Sequence, residues 1–429
     1  MRWSARELLE AALRAARRSR YLDVAVTSVR TIRAEDAEGS EELVENREEH
    51  LTVRALAVGY AAASSTDVGP EAATRLAESA ERRAVAASRR TGLAPVEASS
   101  GRRRALSGRA GMEEAVAVLR ELQSALGDRV PEGRRRLGFV QASVERSIST
   151  SEGSEVEEES TVNIIRVELE LPNGVRVERT AGTGGPVTGD FIDALAESAI
   201  EEARLAMRTP ATLSPLYRGS PFTAILDHEA AGALAEAVAG TGSDRRRMYA
   251  LASSTAVSVI DDPRMRGAPG SREWDDEGVQ TRPKVLLSRG GYSVLGTRLT
   301  AAHEADVGNA YGLPGSPRPG CSNVYVKPGD WSDDEILEEA GEAFLIRGVE
   351  SLEVDERGIV TLRPRAAYLR RRDGELLPVV GISVHDSLER ILAHVRGASR
   401  YLSVAPALDG GVPRGRGGPL LLVDSLKFS

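Results

Sequence analysis

Between Leu137 and Thr180 the sequence alternates apolar and polar residues with a period of two, and it turns sharply at Pro172, Asn173 and Gly174. A chain patterned this way must commit that stretch to antiparallel strands, with the turn between the alternation around Val167 and the run Val175 to Glu178. The acidic run Glu155 to Glu159 inside it reads as an exposed loop or a charged, edge-protecting segment.

Helical signals flank this block. Ser4 and Glu7 have capping-box spacing, and Leu8, Leu9, Ala12, Leu13 and Ala16 then recur at helical intervals. Strands are expected over Leu22–Val29 and, as one longer element, over Leu51–Ala62. Further helices are expected from Gly69 and Pro70 to about Arg89, over Gly111–Leu126 and over Phe191–Met207. Beyond residue 212 glycine and proline are frequent. Strands are expected there at Thr255–Ile260, Pro283–Ser288, Tyr292–Thr297, Val324–Lys327, Ile359–Leu362, Ala366–Arg370 and Leu420–Val423. Apart from the segment carrying His228, only Ser332–Ala343 and Ser387–His394 read as helices in this part. The reading is an α+β protein, with an N-terminal mixed α/β domain over 1–211 and a β-rich C-terminal domain over 212–429.

At 429 residues the chain can bury more than one core. A single cysteine excludes an intramolecular disulfide and fits a reducing compartment. No apolar leader or membrane span of roughly 18–20 residues is present, so the expected location is cytoplasmic, with no membrane association. A net charge of −8 argues against a general nucleic-acid surface. The arginine runs 102–104, 134–136 and 245–247 read as solvated loop or helix faces rather than phosphate sites.

The stretch from Leu226 to Ala233 carries the chemistry. His228 followed by Glu229 is how a helix offers an imidazole to zinc and a carboxylate to the metal-bound water. A second imidazole is missing: position 232 is glycine and position 233 alanine. A pair five residues apart subtends about 140° on a regular helix and could share one ion only if the helix were distorted, with Gly232 a plausible place. An isolated His-Glu pair is more often an ordinary helix start than a metal site.

The surrounding sequence changes that weighting. The run Leu213 to Glu236, then Val257 to Pro263, Gly270 and Ser271, and Trp274 to Val279 resemble the TldD/PmbA family, the modulators of DNA gyrase. Gly308 to Ala310, Pro317 and Arg318, Ser322 to Gly329 and Gly418 to Val423 continue the resemblance in order, and Val53 to Gly59 resembles the family's first sheet. The resemblance implies a zinc peptidase fold in which one member, TldD, holds the metal through an HExxxH helix and a cysteine near the C-terminus, and pairs with a partner, TldE or PmbA, that lacks the metal set. Carried over by position, His228 is the first ligand and Glu229 the general base. Ala233 stands at the second ligand, and the cysteine position falls near Ala405.

Cys321 does not match that cysteine, so two of three ligands are absent and no cofactor is expected here, although zinc serves the active members. Ligation of zinc by His303, Cys321, His385 or His394 remains an alternative. Asn309, Arg318, Asn323 and Tyr325 could clamp an extended peptide or pack turns and strands. Asp275, Asp276 and Glu277 read as a capped turn beside Gly278. The implied function is a non-catalytic or degenerate subunit of a heterodimeric metallopeptidase acting on small or unfolded peptides, paired with a TldD-type chain or with itself. The alternatives are an active peptidase with substituted ligands and a stand-alone peptide-binding or regulatory module.

Overall fold

The computed structural model describes residues 3–211, 220–242, 244–409 and 412–429. The expected domain boundary after residue 211 meets the segment 212–219, which lies outside the described residues, as does the start of the family-like run at Leu213.

The first half is α1 (Ala5–Ala15), β1 (Tyr21–Ala37), β2 (Ser40–Leu56), β3 (Tyr60–Ser65), α2 (Pro70–Val85), β4 (Ser100–Arg103), α3 (Met112–Leu126), β5 (Arg134–Thr150), β6 (Glu155–Glu170), β7 (Arg176–Thr183) and α4 (Gly189–Ala206). Ser4 caps α1 through the expected capping box with Glu7. The strands form one sheet in the order β3-β2-β1-β5-β6-β4, with β7 also on β6. Two apolar cores cover it: α1 and α2 pack one around Leu8, Val24 and Val53, and α3 and α4 the other around Leu122, Phe139 and Ile165.

Three expectations change here. The single strand expected over Leu51–Ala62 is two, because the chain reverses at Ala57–Gly59 and Leu56 pairs with Tyr60. The acidic run Glu155–Glu159 is neither a loop nor an edge. It opens β6, and Glu155 to Glu158 are paired on both sides, Glu155 opposite Ser149 of β5 and opposite Ser100 of β4. Strand β4 carries Arg102 and Arg103, so two members of one arginine run meet the acidic run, and Arg134–Arg136 open β5 rather than lying on a loop or helix.

The second half is β8 (Pro221–Leu226), α5 (His228–Gly240), α6 (Arg245–Ser254), β9 (Val259–Asp261), β10 (Lys284–Ser288), β11 (Gly291–Tyr292), β12 (Ala310–Tyr311), β13 (Arg318–Pro319), β14 (Asn323–Val326), α7 (Asp333–Ala340), β15 (Ala343–Arg347), β16 (Ser351–Val354), β17 (Ile359–Arg363), β18 (Ala366–Arg370), β19 (Leu376–Val379), β20 (Val384–Ser387), α8 (Leu388–Ala393), β21 (Val395–Ala398), β22 (Ser403–Asp409), β23 (Val412–Gly418) and β24 (Leu421–Lys427). Two six-stranded sheets, β11-β10-β9-β14-β23-β22 and β19-β18-β15-β8-β24-β21, hold most of it, and the faces of α5 complete their shared core. The architecture is α+β, as expected. Helix α6 was not expected, because arginines fill its first turn and only Met248, Leu251 and Ala252 are buried along it. Its end takes residues 255–258 out of the expected strand, with the Thr255 amide donating to the Leu251 carbonyl at 2.9 Å. Of the strand expected over Tyr292–Thr297, only Tyr292 is paired.

Buried charge ties the halves together. Arg146 of β5 is ion-paired with Glu158 of β6 and with Asp276 from the second half, and it donates to the Trp274 carbonyl at 2.8 Å. Arg54 pairs with Asp23 at 2.5 Å and donates to the Asp276 carbonyl at 2.7 Å. Arg103 binds Glu158 at 2.8 Å and the Ser271 carbonyl at 2.7 Å. Burial works against the Asp276 charge, but Arg146 and Arg272 hold its carboxyl below the usual carboxylate value. Removing one partner of a buried ion pair leaves the other charge uncompensated, so Arg146→Ala should cost about 3–5 kcal/mol, read as a fall in the denaturant midpoint. A loss within experimental error would mean that Glu158 and Asp276 are compensated without Arg146.

Glu277 shows the opposite shift. Burial and then the neighbouring Asp275 raise its carboxyl, with Arg54 opposing. A carboxyl raised in the folded state stabilises the protein while protonated. That contribution is present at acid pH and is lost as pH climbs through the ordinary carboxylate range to the raised folded value. Glu277→Gln should therefore flatten the decline in stability between acid and neutral pH, as followed by thermal melts across that range. An unchanged slope would show that Glu277 does not titrate this way.

Candidate functional site

Strand β8 runs directly into α5, and Asp227 at the junction fixes the entry angle. One Asp227 oxygen accepts the Ala230 amide at 2.9 Å, capping the helix, and the other accepts the Gly348 amide at 2.7 Å. The cap presents His228 and Glu229 at the first turn, both half-buried. The helix is continuous over His228–Gly240, so Gly232 does not mark the distortion considered above. It serves packing instead. A Cβ on Gly232 would lie 2.7 Å from the Gly417 nitrogen of β23, and one on Gly418 would lie 2.6 Å from Ala231 Cβ.

His228 is held by the strand beneath it. Its Nδ1 is 2.8 Å from the Gly418 carbonyl, and Tyr401 meets the ring edge-on at 5.3 Å between centroids. Both Glu229 oxygens are engaged by guanidinium groups: Oε2 accepts from Arg365 Nη1 at 2.9 Å, and Oε1 lies 3.6 Å from Arg416 Nη2. Burial raises the Glu229 carboxyl above its ordinary value and outweighs the pull of the two arginines.

These residues open into a cavity of ≈ 420 Å³ whose walls include Asp227, His228, Glu229, Arg365, Ser403 and Ala405. Position 405 therefore shares a wall with His228 and Glu229. Ala233 is 2 % exposed and packs in the apolar core. One imidazole, a carboxylate facing two guanidinium groups and two alanines do not fit a catalytic zinc, which takes about three protein ligands and keeps one position open. Among the described residues no three His, Cys, Asp or Glu side chains converge as a metal site.

The remaining candidates are dispersed. Cys321 is buried, and burial pushes its thiol up to about 12. His385 lies beside Thr361 at 3.2 Å, and the His394 Nδ1 lies 2.8 Å from the Arg390 carbonyl. His303, just before residue 304, donates its amide to Asp306. None of these four lines the cavity.

Asn309 and Asn323 are fully buried. Asn309 accepts from Lys284 and donates to Asp261 at 3.1 Å, whereas Asn323 accepts the Gly270 amide at 2.8 Å and donates to the Asp262 carbonyl at 2.9 Å. Both amides are thus spent on internal packing, and neither faces the cavity. Arg318 is exposed on β13 and Tyr325 half-buried on β14, also away from it. The Asp275 carboxylate accepts the Glu277 amide at 2.9 Å and the Val279 amide at 3.0 Å, the turn expected beside Gly278.

Residues 220–429 match the family of the PmbA/TldA metallopeptidase C-terminal domain. That part of the chain belongs to the TldD/PmbA family. The chain is 32% identical over 256 residues to a metalloprotease of Methanocaldococcus jannaschii, covering 55% of each chain, and 29% identical over 313 residues to a metalloprotease of Methanothermobacter thermautotrophicus, covering 66% of this chain and 67% of that one. The chain thus spans about half to two thirds of the length of these curated relatives. Its fold is similar to that of TldE from Thermococcus kodakarensis, with a TM-score of 0.78 at 16% identity over 98% of this chain and 100% of that one. A protein described as a modulator of a DNA gyrase from Thermotoga maritima gives 0.77 at 18% identity over 99% and 100%.

Sequence alone singled out His228, Glu229, Ala233 and Ala405 but missed Arg365, Arg416 and Tyr401. No local pattern marks them, since their partners on α5 are well over a hundred residues away. The Gly232 contact with backbone yields a prediction of sign. At an open helix position Gly→Ala gains about 1 kcal/mol, whereas here the added methyl meets Gly417 main chain, and Gly232→Ala should cost about 1–3 kcal/mol. A rise in melting temperature would show that α5 can lift from β23 freely.

Proposed function

We propose that this chain is the non-catalytic subunit of a heterodimeric TldD/TldE-type metallopeptidase, one that helps form or present the substrate path while a TldD-type partner supplies the zinc and cleaves small or unfolded peptides. The observation that carries the reading is the cavity wall itself. Ala405, near which the resemblance sets a third ligand, lines the same cavity as His228 and Glu229, and both Glu229 oxygens face guanidinium groups of Arg365 and Arg416. A general base of this type acts on a water that a metal has acidified, and here Glu229 faces two guanidinium groups instead. Zinc would supply an acidified water in the partner. In this chain the same helix keeps its shape and lacks the donors.

The reading places the protein in the cytoplasm. No helix among the described residues is long and apolar enough to cross a membrane, and the net charge of −8 gives no basis for direct nucleic-acid contact. Its partner is a homologous TldD-type subunit, with self-pairing as the form taken alone, and the active complex acts on a peptide. His228 remains as a vestigial ligand position and Asn309, Arg318 and Asn323 as parts of the scaffold behind the substrate path.

Peptide cleavage measured on the four combinations of wild-type and Glu→Gln subunits tests this. The chain alone should hydrolyse no peptide. In the reconstituted complex Glu229→Gln should leave the rate unchanged, whereas the matching change in the metal-bearing partner should remove it, since loss of a general base costs about 10²–10⁴-fold. If Glu229→Gln alone abolishes activity, this chain contributes catalytic chemistry and the proposal fails.

A further inference from the structure

Arg416 lies on β23 directly opposite Ala405 on β22, so the two side chains leave the same face of the sheet. Its Nη1 is 3.0 Å from Glu236 Oε2 and its Nη2 3.6 Å from Glu229 Oε1. Glu229 and Glu236 stand seven residues apart on α5, about 10 Å along the axis, and Ala233 falls between them on the same side of the helix. A fork that reaches both carboxylates must cross the helix at the level of Ala233. Helix and strand are pressed together at Gly232 and Gly417, which brings the Arg416 stem to that level.

We infer that Arg416 is the resident cation of this site: it gives Glu229 the positive charge a metal would give, and it fills the space between positions 233 and 405 that an imidazole and a thiolate would need. The inference rests on the proposed reading of 228, 233 and 405 as ligand positions. The site has then lost more than two ligands. It has been closed by an internal guanidinium, with two alanines small enough to let it lie there. Arg365 completes the closure by taking the other Glu229 oxygen. Restoring the ligands while Arg416 remains should not restore the metal, because a dication would sit against a fixed cation whose charge cannot be titrated away.

The test uses the full chain, zinc chloride as the only probe, and two readouts, zinc retained after equilibrium dialysis and the zinc-dependent shift in melting temperature. The proteins compared are wild type, Arg416→Val, Ala233→His with Ala405→Cys, and those two substitutions together with Arg416→Val. Only the triple variant should retain one zinc per chain and melt at a higher temperature when zinc is added, as mass action requires of a ligand that binds the folded state. The double variant should behave like wild type. Equal zinc retention in the double and triple variants would overturn the inference, and so would retention in neither, since 233 and 405 would then not be ligand positions. Stoichiometric zinc on the wild type would instead strike at the proposed function. Should the substituted chains fail to fold, a double-mutant cycle of Glu229→Gln and Arg416→Gln in the native chain decides. The melting shifts should be non-additive, and additive shifts would show that Arg416 does not hold Glu229.

Discussion

Helix α5 rests on strand β23 with no side chain between them at Gly232, where an added Cβ would stand 2.7 Å from the Gly417 nitrogen. That contact sets the distance from which every other group at the site must work. It lets the Gly418 carbonyl reach His228 Nδ1 at 2.8 Å and brings Arg416 to two carboxylates on the facing helix. It also puts Ala405 on the cavity wall with His228 and Glu229. A larger residue at 232 would widen the gap, and the hydrogen bond and ion pairs would lengthen together.

The platform beneath this contact is held by charge as much as by apolar packing. Arg54, Arg103 and Arg146 project from the N-terminal sheet, and each donates to a main-chain carbonyl in the segment Ser271–Asp276 while pairing with an acidic group. Buried pairs add little net stability over apolar packing, because desolvation offsets most of the attraction. They are directional, however, and a guanidinium that must satisfy a carboxylate and a carbonyl together fixes the position of the loop it holds. Asp261, Asn309 and Asn323 do the same inside the second half, and burial pushes the Asp261 carboxyl up to about 6 against its hydrogen bonds from Ser322.

On the proposed reading, the site keeps the frame of a metal centre with different charges around it. The Asp227 cap, the first-turn His-Glu pair and the Gly418 carbonyl under the imidazole would all serve a metal-binding helix. Arg365 and Arg416 turn the same helix end into a closed ion-pair cluster. On that reading few residues decide the chemistry, because they sit on two facing elements whose backbone contact at Gly232 and Gly417 is independent of them.

Much of this was legible from local order. The capping box at Ser4, the hairpin turn at Pro172–Gly174, the helix starting at His228 and the missing imidazole at 233 depend on neighbours within a few residues, and the sequence states them directly. The position near Ala405 came from counting back from Gly418 and Pro419 in a motif that resembles a family's, which is also a local signal. Long-range pairing was not legible. The acidic run Glu155–Glu159 has the composition of an exposed loop, and only the register of β6 against β4 and β5 makes it a strand and buries Glu158 against Arg103 and Arg146. Asn309 and Asn323 have the residue type of a substrate clamp, and only burial against Lys284, Asp261 and Asp262 turns them inward. By itself the sequence determined that a His-Glu pair opens helix α5 and that no histidine follows it at 232 or 233, because these are properties of adjacent residues. The tertiary structure alone decided which cations face Glu229, because Arg365 and Arg416 reach it only after strands from distant parts of the chain have been laid against helix α5.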